Sequence, residues 1–306
     1  MSVTIKKVAY RGWPNCCRIS NGKIELIVTT DVGPRVIRFG FIGGQNLFKE
    51  YSAFLGKRGG KQWVNYGGHR LWHAPEDEKR TYCPDNSPVT VEQQAGQVRF
   101  IQPVETATGI QKEIEIRLAA NRASVELVHR LRNTGVWSIE LAPWALSVMA
   151  PGGTGIIPLP PRGSHPKDLL PGNLLTLWRY TDMSDPRWTW GRKFILLRQA
   201  ASPQSTPQKL GALVPDGWAG YALNGQLFVK KFACVAGVNY ADFGCNFETF
   251  TNRDMLEVET LGAFTKIAPG QTVEHCETWS LFDGVPAPQC DRDVERHVTQ
   301  LIKQFS

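Results

Sequence analysis

Apolar and polar positions alternate along most of this chain, and the alternation has the two-residue period of a strand. In GIQKEIEIRL (109–118), Ile114, Ile116 and Leu118 fall on one face while Glu113, Glu115 and Arg117 fall on the other. The connection AANRA (119–123) returns the chain as SVELVHRLRN (124–133). There Val125, Leu127 and Leu131 oppose Glu126, Arg130 and Arg132, so the two segments predict an antiparallel hairpin. Further strands are predicted at 23–29, 36–42, 193–199, 225–233, 255–261 and 273–282.

A helical stripe stands out only near the end. DRDVERHVTQLIKQF (291–305) aligns Val294, Val298, Leu301, Ile302 and Phe305, with Asp291 as its expected N-cap. Glycine and proline turns separate the strands without helical crossovers, which argues against a parallel α/β sheet. The pattern predicts an all-β antiparallel architecture with a C-terminal helix, built as a single domain over 1–306. Two proline-rich loops interrupt it, at 156–173 and 199–209.

Composition narrows the function classes. With 42% hydrophobic and 21% charged residues among 306, the chain is of globular type. LAPWALSVMA (141–150) is about half of a membrane span, and MSVTIKKVAY has no leader-like apolar core, so no membrane role is expected. Seven cysteines, two of them adjacent at Cys16 and Cys17, form no CxxC pair. That predicts neither a disulfide framework nor a zinc ribbon, and points to a reducing cytoplasm. The net charge of +7 is scattered, its densest stretch being the loop GKRGGKQW (56–63). Without a recognition motif beside it, no nucleic-acid partner is expected.

The densest chemistry lies in WVNYGGHRLWHAPE (63–76). His69, His73 and Glu76 have a spacing that on a helix would present three metal ligands together, as in a metal-dependent hydrolase or lyase. The preceding Gly-Gly and Pro75 oppose that helix, and Arg70 stands where a zinc protease has its glutamate. Trp63, Tyr66 and Trp72 instead offer flat apolar faces, while His69, Arg70, His73 and Glu76 offer donors and acceptors. A sugar needs both, because its C–H faces stack on aromatic rings and its hydroxyls need directional partners.

A second cluster lies in 239–271. Glu257 and Glu259 share one face of MLEVETL, either as the solvated face of an edge strand or as sheltered carboxylates. If sheltered, they repel, so one should bind its proton more tightly and suit a general base. Asp242 and Glu248 add carboxylates nearby. On the hairpin, Lys112 and His129 share the parity of the apolar residues; Lys112 is the better ligand candidate, and His129 reads as a hydrogen-bonded core residue. Trp144 reads as core.

Several of these segments, taken in order, resemble the galactose mutarotase-like (aldose 1-epimerase) superfamily. They are SNGKIELIVTTDVGPRVIRFGFIGGQNLF at the start, YGGHRLW, and ETLGAFTKIAPGQTVEHCETWSLF near the end. The whole set is more similar to a bacterial branch of that superfamily than to a true mutarotase. The resemblance implies a β-supersandwich with a carbohydrate site on the concave face of a large antiparallel sheet. It implies isomerase chemistry without a cofactor or metal, with Glu259 as base. The histidine before the family's Gly-Gly is replaced by Tyr66, with His69 just after. The family's acid histidine has no counterpart in NTGVWSIELAPW, so His69, His73, His129 or His165 would have to supply the proton. The expected ligand set is Glu259, His69 and His73 as catalysts, with Trp63, Tyr66, Arg70, Trp72, Glu76, Lys112, Asp242, Glu248 and Glu257 around the sugar. The same lost histidine supports a carbohydrate-binding protein without catalysis as the alternative.

Overall fold

The computed structural model describes residues 2–202 and 204–304. In chain order its strands begin with β1 Thr4–Tyr10, β2 Trp13–Ser20, β3 Ile24–Thr29, β4 Arg35–Phe41, β5 Gly68–Ala74, β6 Thr90–Gln94 and β7 Gln97–Ile101. They continue as β8 Ile110–Leu118, β9 Ser124–Asn133, β10 Ile139–Met149, β11 Thr154–Pro158, β12 Leu175–Leu177, β13 Trp188–Trp190 and β14 Phe194–Arg198. The last are β15 Gln208–Ala212, β16 Trp218–Leu223, β17 Gln226–Phe232, β18 Phe247–Thr251, β19 Leu256–Leu261, β20 Thr265–Ile267 and β21 Thr272–Asp283.

Among the described residues these strands form two antiparallel sheets. The first runs β1-β2-β3-β4-β5-β10-β19-β18-β15-β12, with β20 also paired to β10; the second runs β13-β14-β11-β16-β17-β21-β9-β8-β7-β6. The predicted hairpin is β8–β9, paired from Ile110↔Asn133 to Leu118↔Val125. Its apolar faces point into the space between the sheets, where Ile114, Ile116, Val125, Leu127 and Leu131 meet Val36, Phe39 and Leu71 of the first sheet in one core. Trp279 lies at its centre, with ring centroids of Phe39 and Phe48 at 5.5 Å and of Phe228 at 5.6 Å. Each such side chain contributes about 1.5–3 kcal/mol through burial.

Two segments differ from the sequence expectation. Residues 68–74, where the glycine pair and Pro75 opposed a helix and no strand was predicted, form the central strand β5. The glycines are there for close approach: a Cβ on Gly67 would lie 2.0 Å from the Lys49 carbonyl oxygen, and one on Gly68 2.5 Å from that of Val36. The acidic strand 255–261 is not an edge either, because β19 pairs with β10 on one side and β18 on the other.

The C-terminal segment is helical over Asp291–Val294, π-helical over Glu295–Thr299 and helical again over Gln300–Lys303. Val294, Val298 and Ile302 pack on Ile156, Phe194, Trp218 and Val229, on the outer face of the second sheet. Phe305, the last member of the predicted stripe, lies outside the described residues. Asp291 is the first helical residue and not the cap; its carboxylate instead accepts the backbone N–H groups of Arg192, Lys193 and Phe194. No helix among the described residues is long and apolar enough to cross a membrane.

The core also holds a polar cluster between the sheets, and its hydrogen bonds fix its proton positions. His129 Nδ1 faces the His275 carbonyl oxygen at 3.0 Å and therefore carries the proton. Its Nε2 then accepts from His69 Nε2 at 2.7 Å, and His69 Nδ1 accepts from the Ser147 hydroxyl at 2.9 Å. Lys230 Nζ spends its three protons on Glu277 Oε1 at 2.8 Å, Ala145 O at 3.1 Å and Val258 O at 3.2 Å. Trp279 Nε1 donates to Glu277 Oε2 at 2.7 Å, the Thr260 hydroxyl donates to Oε1, and His275 Nε2 donates to Thr260 at 2.8 Å. Burial, aided by the charge of Lys230, holds His69 well below the usual imidazole range. Burial likewise lowers His129, and it lowers His275 to about 3. Burial would raise Glu277, but the Lys230 ammonium outweighs it and holds the carboxyl down at about 2.

Candidate active site

The first sheet's other face carries the candidate site, and strand parity decides which residues reach it. In antiparallel sheets directly paired residues point the same way. The register Arg70↔Leu146↔Glu259↔Glu248↔Gly211 therefore forms one row across β5, β10, β19, β18 and β15, facing away from the core. The adjoining row His69↔Ser147↔Val258 faces the second sheet.

Above the first row lies a cavity of about 300 Å³. Its floor is Arg70, Trp72, Trp144, Leu146, Lys209, Glu257 and Glu259 from the strands. Trp63, Glu76, Tyr82 and Tyr180 come from loops and form its walls and mouth. Trp72 anchors the aromatic wall, with centroids of Trp63, Tyr82 and Trp144 at 5.2, 5.1 and 5.3 Å. The cations are fixed by rings: Arg70 Cζ lies 4.2 Å from the Trp72 centroid, and Lys209 Nζ lies 4.8 Å from Trp144 and 4.6 Å from Trp178. Gly211 leaves room for this clamp, since a Cβ there would lie 3.4 Å from the Trp178 ring and 2.5 Å from Cys245 Sγ.

The charges are paired within the floor. Arg70 Nη2 donates to Glu257 Oε1 at 3.1 Å. Lys209 Nζ lies 2.8 Å from Glu248 Oε2 and 3.5 Å from Glu259 Oε2, and the latter oxygen also accepts Trp144 Nε1–H at 2.9 Å. Burial raises Glu259 to about 7, partly offset by Lys209, and Glu257 adds to the rise. Burial drives Glu248 well above the carboxylate range. Burial opposes the charge of Lys209, but Glu259 and Glu248 outweigh it and raise the ammonium above its ordinary value. At the mouth, Tyr82 donates its hydroxyl proton to Glu76; burial, then that carboxylate, raises Tyr82. Burial also raises Tyr180, to about 12.

Four buried polar atoms on cavity residues have no partner within the chain: Arg70 Nε and Nη1, Trp63 Nε1 and Glu259 Oε1. Buried polar groups are almost always hydrogen-bonded, so unspent valences of both signs at one cavity mark a place for a polar ligand. A carboxylate whose proton affinity burial has raised, with one oxygen unpartnered beside the cavity, has the chemistry of a general base.

Of the residues expected from the sequence, Trp63, Arg70, Trp72, Glu76, Glu257 and Glu259 meet at this cavity. Glu248 lies beneath it beside Lys209. Asp242 sits in the loop before β18, close enough to reinforce the rise at Glu248. Tyr66 is buried elsewhere, its hydroxyl donating to Asn86 Oδ1 at 3.0 Å. Lys112 pairs with Glu105 at 2.5 Å on the core side.

The two expected acids are corrected by parity. His69 and His73 share a face with Leu71, opposite to Arg70 and Trp72 on the same strand, so neither confronts Glu259 across a ligand. His69 is spent in the inter-sheet cluster. His73 is buried beside Lys112 and Glu105 and lowered to about 3 by burial. His129 belongs to the same inter-sheet cluster, and His165 is exposed in the loop after β11. The metal set of His69, His73 and Glu76 is not assembled. Side chains four apart on a strand are about 13 Å apart, and Glu76 belongs to the mouth on the other face. Among the described residues the one set of metal-type ligands brought together is His69, His129 and Glu277, within 4.8 Å. Their valences are already spent on one another and their neighbours.

Sequence reasoning missed Lys209, Tyr82 and Tyr180, and took Trp144 for core. Trp144 could have been found by parity, since it shares the face of Leu146 opposite Glu259. Lys209 follows a proline-rich stretch and gave no such signal.

No protein-family model matches the chain, and no curated protein matches its sequence. Solved structures do match its fold. A galactose mutarotase-like protein from Lactobacillus casei superposes with a TM-score of 0.57 at 10% identity, over 88% of this chain and 100% of that one. A galactose mutarotase-like protein from Clostridium acetobutylicum gives 0.55 at 10% identity, over 92% and 99%. A galactose mutarotase related enzyme from Lactobacillus acidophilus gives 0.53 at 7% identity, over 90% and 99%. The chain thus has the antiparallel β-sandwich fold of the galactose mutarotase-like proteins.

Proposed function

We propose that the cavity on the outer face of the first sheet binds a neutral sugar, and that the chain acts on it as an aldose-epimerase-type isomerase, Glu259 taking the anomeric hydroxyl proton as a mouth tyrosine, Tyr82 or Tyr180, gives one to the ring oxygen of the opening ring. One observation carries this reading. Unspent donors on Arg70 and Trp63 and an unspent acceptor on Glu259 adjoin a cavity walled by indole rings. A polyhydroxylated ring meets all three demands, because each hydroxyl donates and accepts and its C–H face stacks on tryptophan. Charge argues for neutrality: Arg70 is matched by Glu257 and Lys209 by the Glu248–Glu259 pair, which leaves no cation for an anionic substituent. The mutarotase-like names of the fold neighbours agree with this ligand class. The reading gives the chain a diffusible sugar as partner and the cytoplasm as its compartment.

Free aldohexoses, beginning with D-galactose and D-glucose, should saturate the protein in calorimetry, and anomer exchange measured by NMR should accelerate. Glu259→Gln should abolish that acceleration while leaving the folded structure intact; an unchanged rate would remove Glu259 from the mechanism. A second reading, sugar binding without catalysis, is favoured by the absence of histidine among the described residues lining the cavity. Saturable binding with no change in exchange rate would establish it over the first.

A further inference from the structure

Beneath Glu259 lies a carboxylate that does not line the cavity. Glu248 is its direct cross-strand partner, and both are fully buried with Lys209 Nζ between them. Two carboxylates and one ammonium out of water leave one negative charge uncompensated, which a protein interior disfavours strongly. The other cations that act on the pair are engaged elsewhere, Arg70 with Glu257 and Lys230 with Glu277. The pair therefore keeps one proton, and the surroundings decide where.

Glu259 accepts the Trp144 indole N–H, a hydrogen bond that favours its charged form. Glu248 also interacts with the Asp242 carboxyl, and that neighbour favours the neutral form. Lys209 is nearer to Glu248 than to Glu259 and pulls the other way. A protonated carboxyl still presents a carbonyl oxygen to that ammonium, so the contact survives protonation. The remaining acidic neighbours are Glu257, Glu76, Tyr180 and Cys245, and each further negative charge makes a second one on the pair costlier; the remaining cation in reach of Glu259 from the inner side, Lys230, is paired with Glu277.

We propose that Glu248 is a positioning residue of this site: it stays protonated and uncharged, so that Lys209 compensates the single negative charge that Glu259 presents to the cavity. The proposal rests on the sugar-isomerase reading for its purpose, though not for its measurement. The directions of the two shifts, Glu248 well above the carboxylate range and Glu259 up to about 7, agree with it.

The test is a ¹³C-carboxyl NMR titration of protein labelled at glutamate Cδ, with Glu248 and Glu259 assigned through their backbone amides. In the wild type Glu259 should titrate near neutrality while Glu248 stays protonated at pH 8, where Glu259 is ionised. Glu248→Gln imitates the protonated side chain, so the Glu259 midpoint should move by less than about 0.3 units. Lys209→Met removes the compensating charge and should raise that midpoint by about one unit or more. A Glu248 signal already ionised at pH 8, or a Glu259 midpoint that falls by a unit in Glu248→Gln, would overturn the proposal. The wild-type titration decides it even if a variant does not fold. If the titration is as stated but no aldose binds or anomerises, the proton arrangement stands and the sugar reading fails. If aldoses turn over, the acidic limb of the kcat/KM profile should be retained in Glu248→Gln and displaced upward in Lys209→Met.

Discussion

The first sheet has a charged cluster on each face, and the two are built to opposite rules. Toward the second sheet, every proton of Lys230 and both oxygens of Glu277 have partners, and two imidazoles link Ser147 to a backbone carbonyl. On the outer face, Arg70, Trp63 and Glu259 retain unpaired atoms. Both clusters are buried, both contain lysine and glutamate, and both have shifted proton affinities. Burial and a displaced pKa therefore do not tell a structural network from a ligand site here. Completeness of hydrogen bonding does.

The largest effect that would break the comparison comes from the inner cluster. Lys230→Met strands Glu277 without its counter-ion and should lower unfolding free energy by about 3–5 kcal/mol in urea titrations. Lys209→Met should cost less than half of that, because the outer carboxylates can take up a second proton. Equal losses would show that the outer cluster is structural too.

The next effect is on pH. His69, His129 and His275 are neutral and buried, with folded-state affinities below the unfolded value, and Glu277 is also depressed. The unfolded chain then binds more protons, so stability is complete above about pH 6.5 and declines as the pH falls toward 3, with Glu277 adding to the loss below about 4.5. Glu259 works in the opposite sense. Its midpoint is raised to about 7, so its contribution is present below about pH 4.5 and is lost as pH rises through 7. Denaturation at pH 8, 6 and 4 separates the two.

Glu259→Gln sharpens the contrast further. At pH 8 it should stabilise the fold by about 1–2 kcal/mol, by removing a buried charge, while weakening aldose binding at least about tenfold. A variant that is both less stable and still binding would contradict the assignment. The smallest expected effect is that of Trp144→Phe, which deletes one donor to Glu259. It should cost about 1 kcal/mol and shift the Glu259 midpoint upward, with ring stacking retained.

The sheets were legible in the sequence because half-buried strands alternate, as in 109–118 and 124–133. The cavity was legible only in part. Gly67, Gly68 and Pro75 opposed a helix over 63–76 and no strand was predicted there, so its aromatic, basic and imidazole side chains were assigned to one ligand set. As a strand, His69-Arg70-Leu71-Trp72-His73 divides them between two faces, and the imidazoles leave the site. Glu257 and Glu259 were visible as a pair on one strand. That Glu248 stands opposite Glu259, with Lys209 reaching both, depends on a register of three strands that no local pattern encodes. Local periodicity tells which side a residue faces, and only pairing tells what it meets.

The clamp on Lys209 has a consequence for reagents rather than ligands. An amine attacks an acylating or alkylating agent through its lone pair, and this ammonium holds its proton more firmly than an ordinary lysine while lying 5% exposed between Trp144 and Trp178. Lys209 will stay unmodified while exposed lysines are labelled, and the onset of its labelling will report that the clamp of indoles has opened.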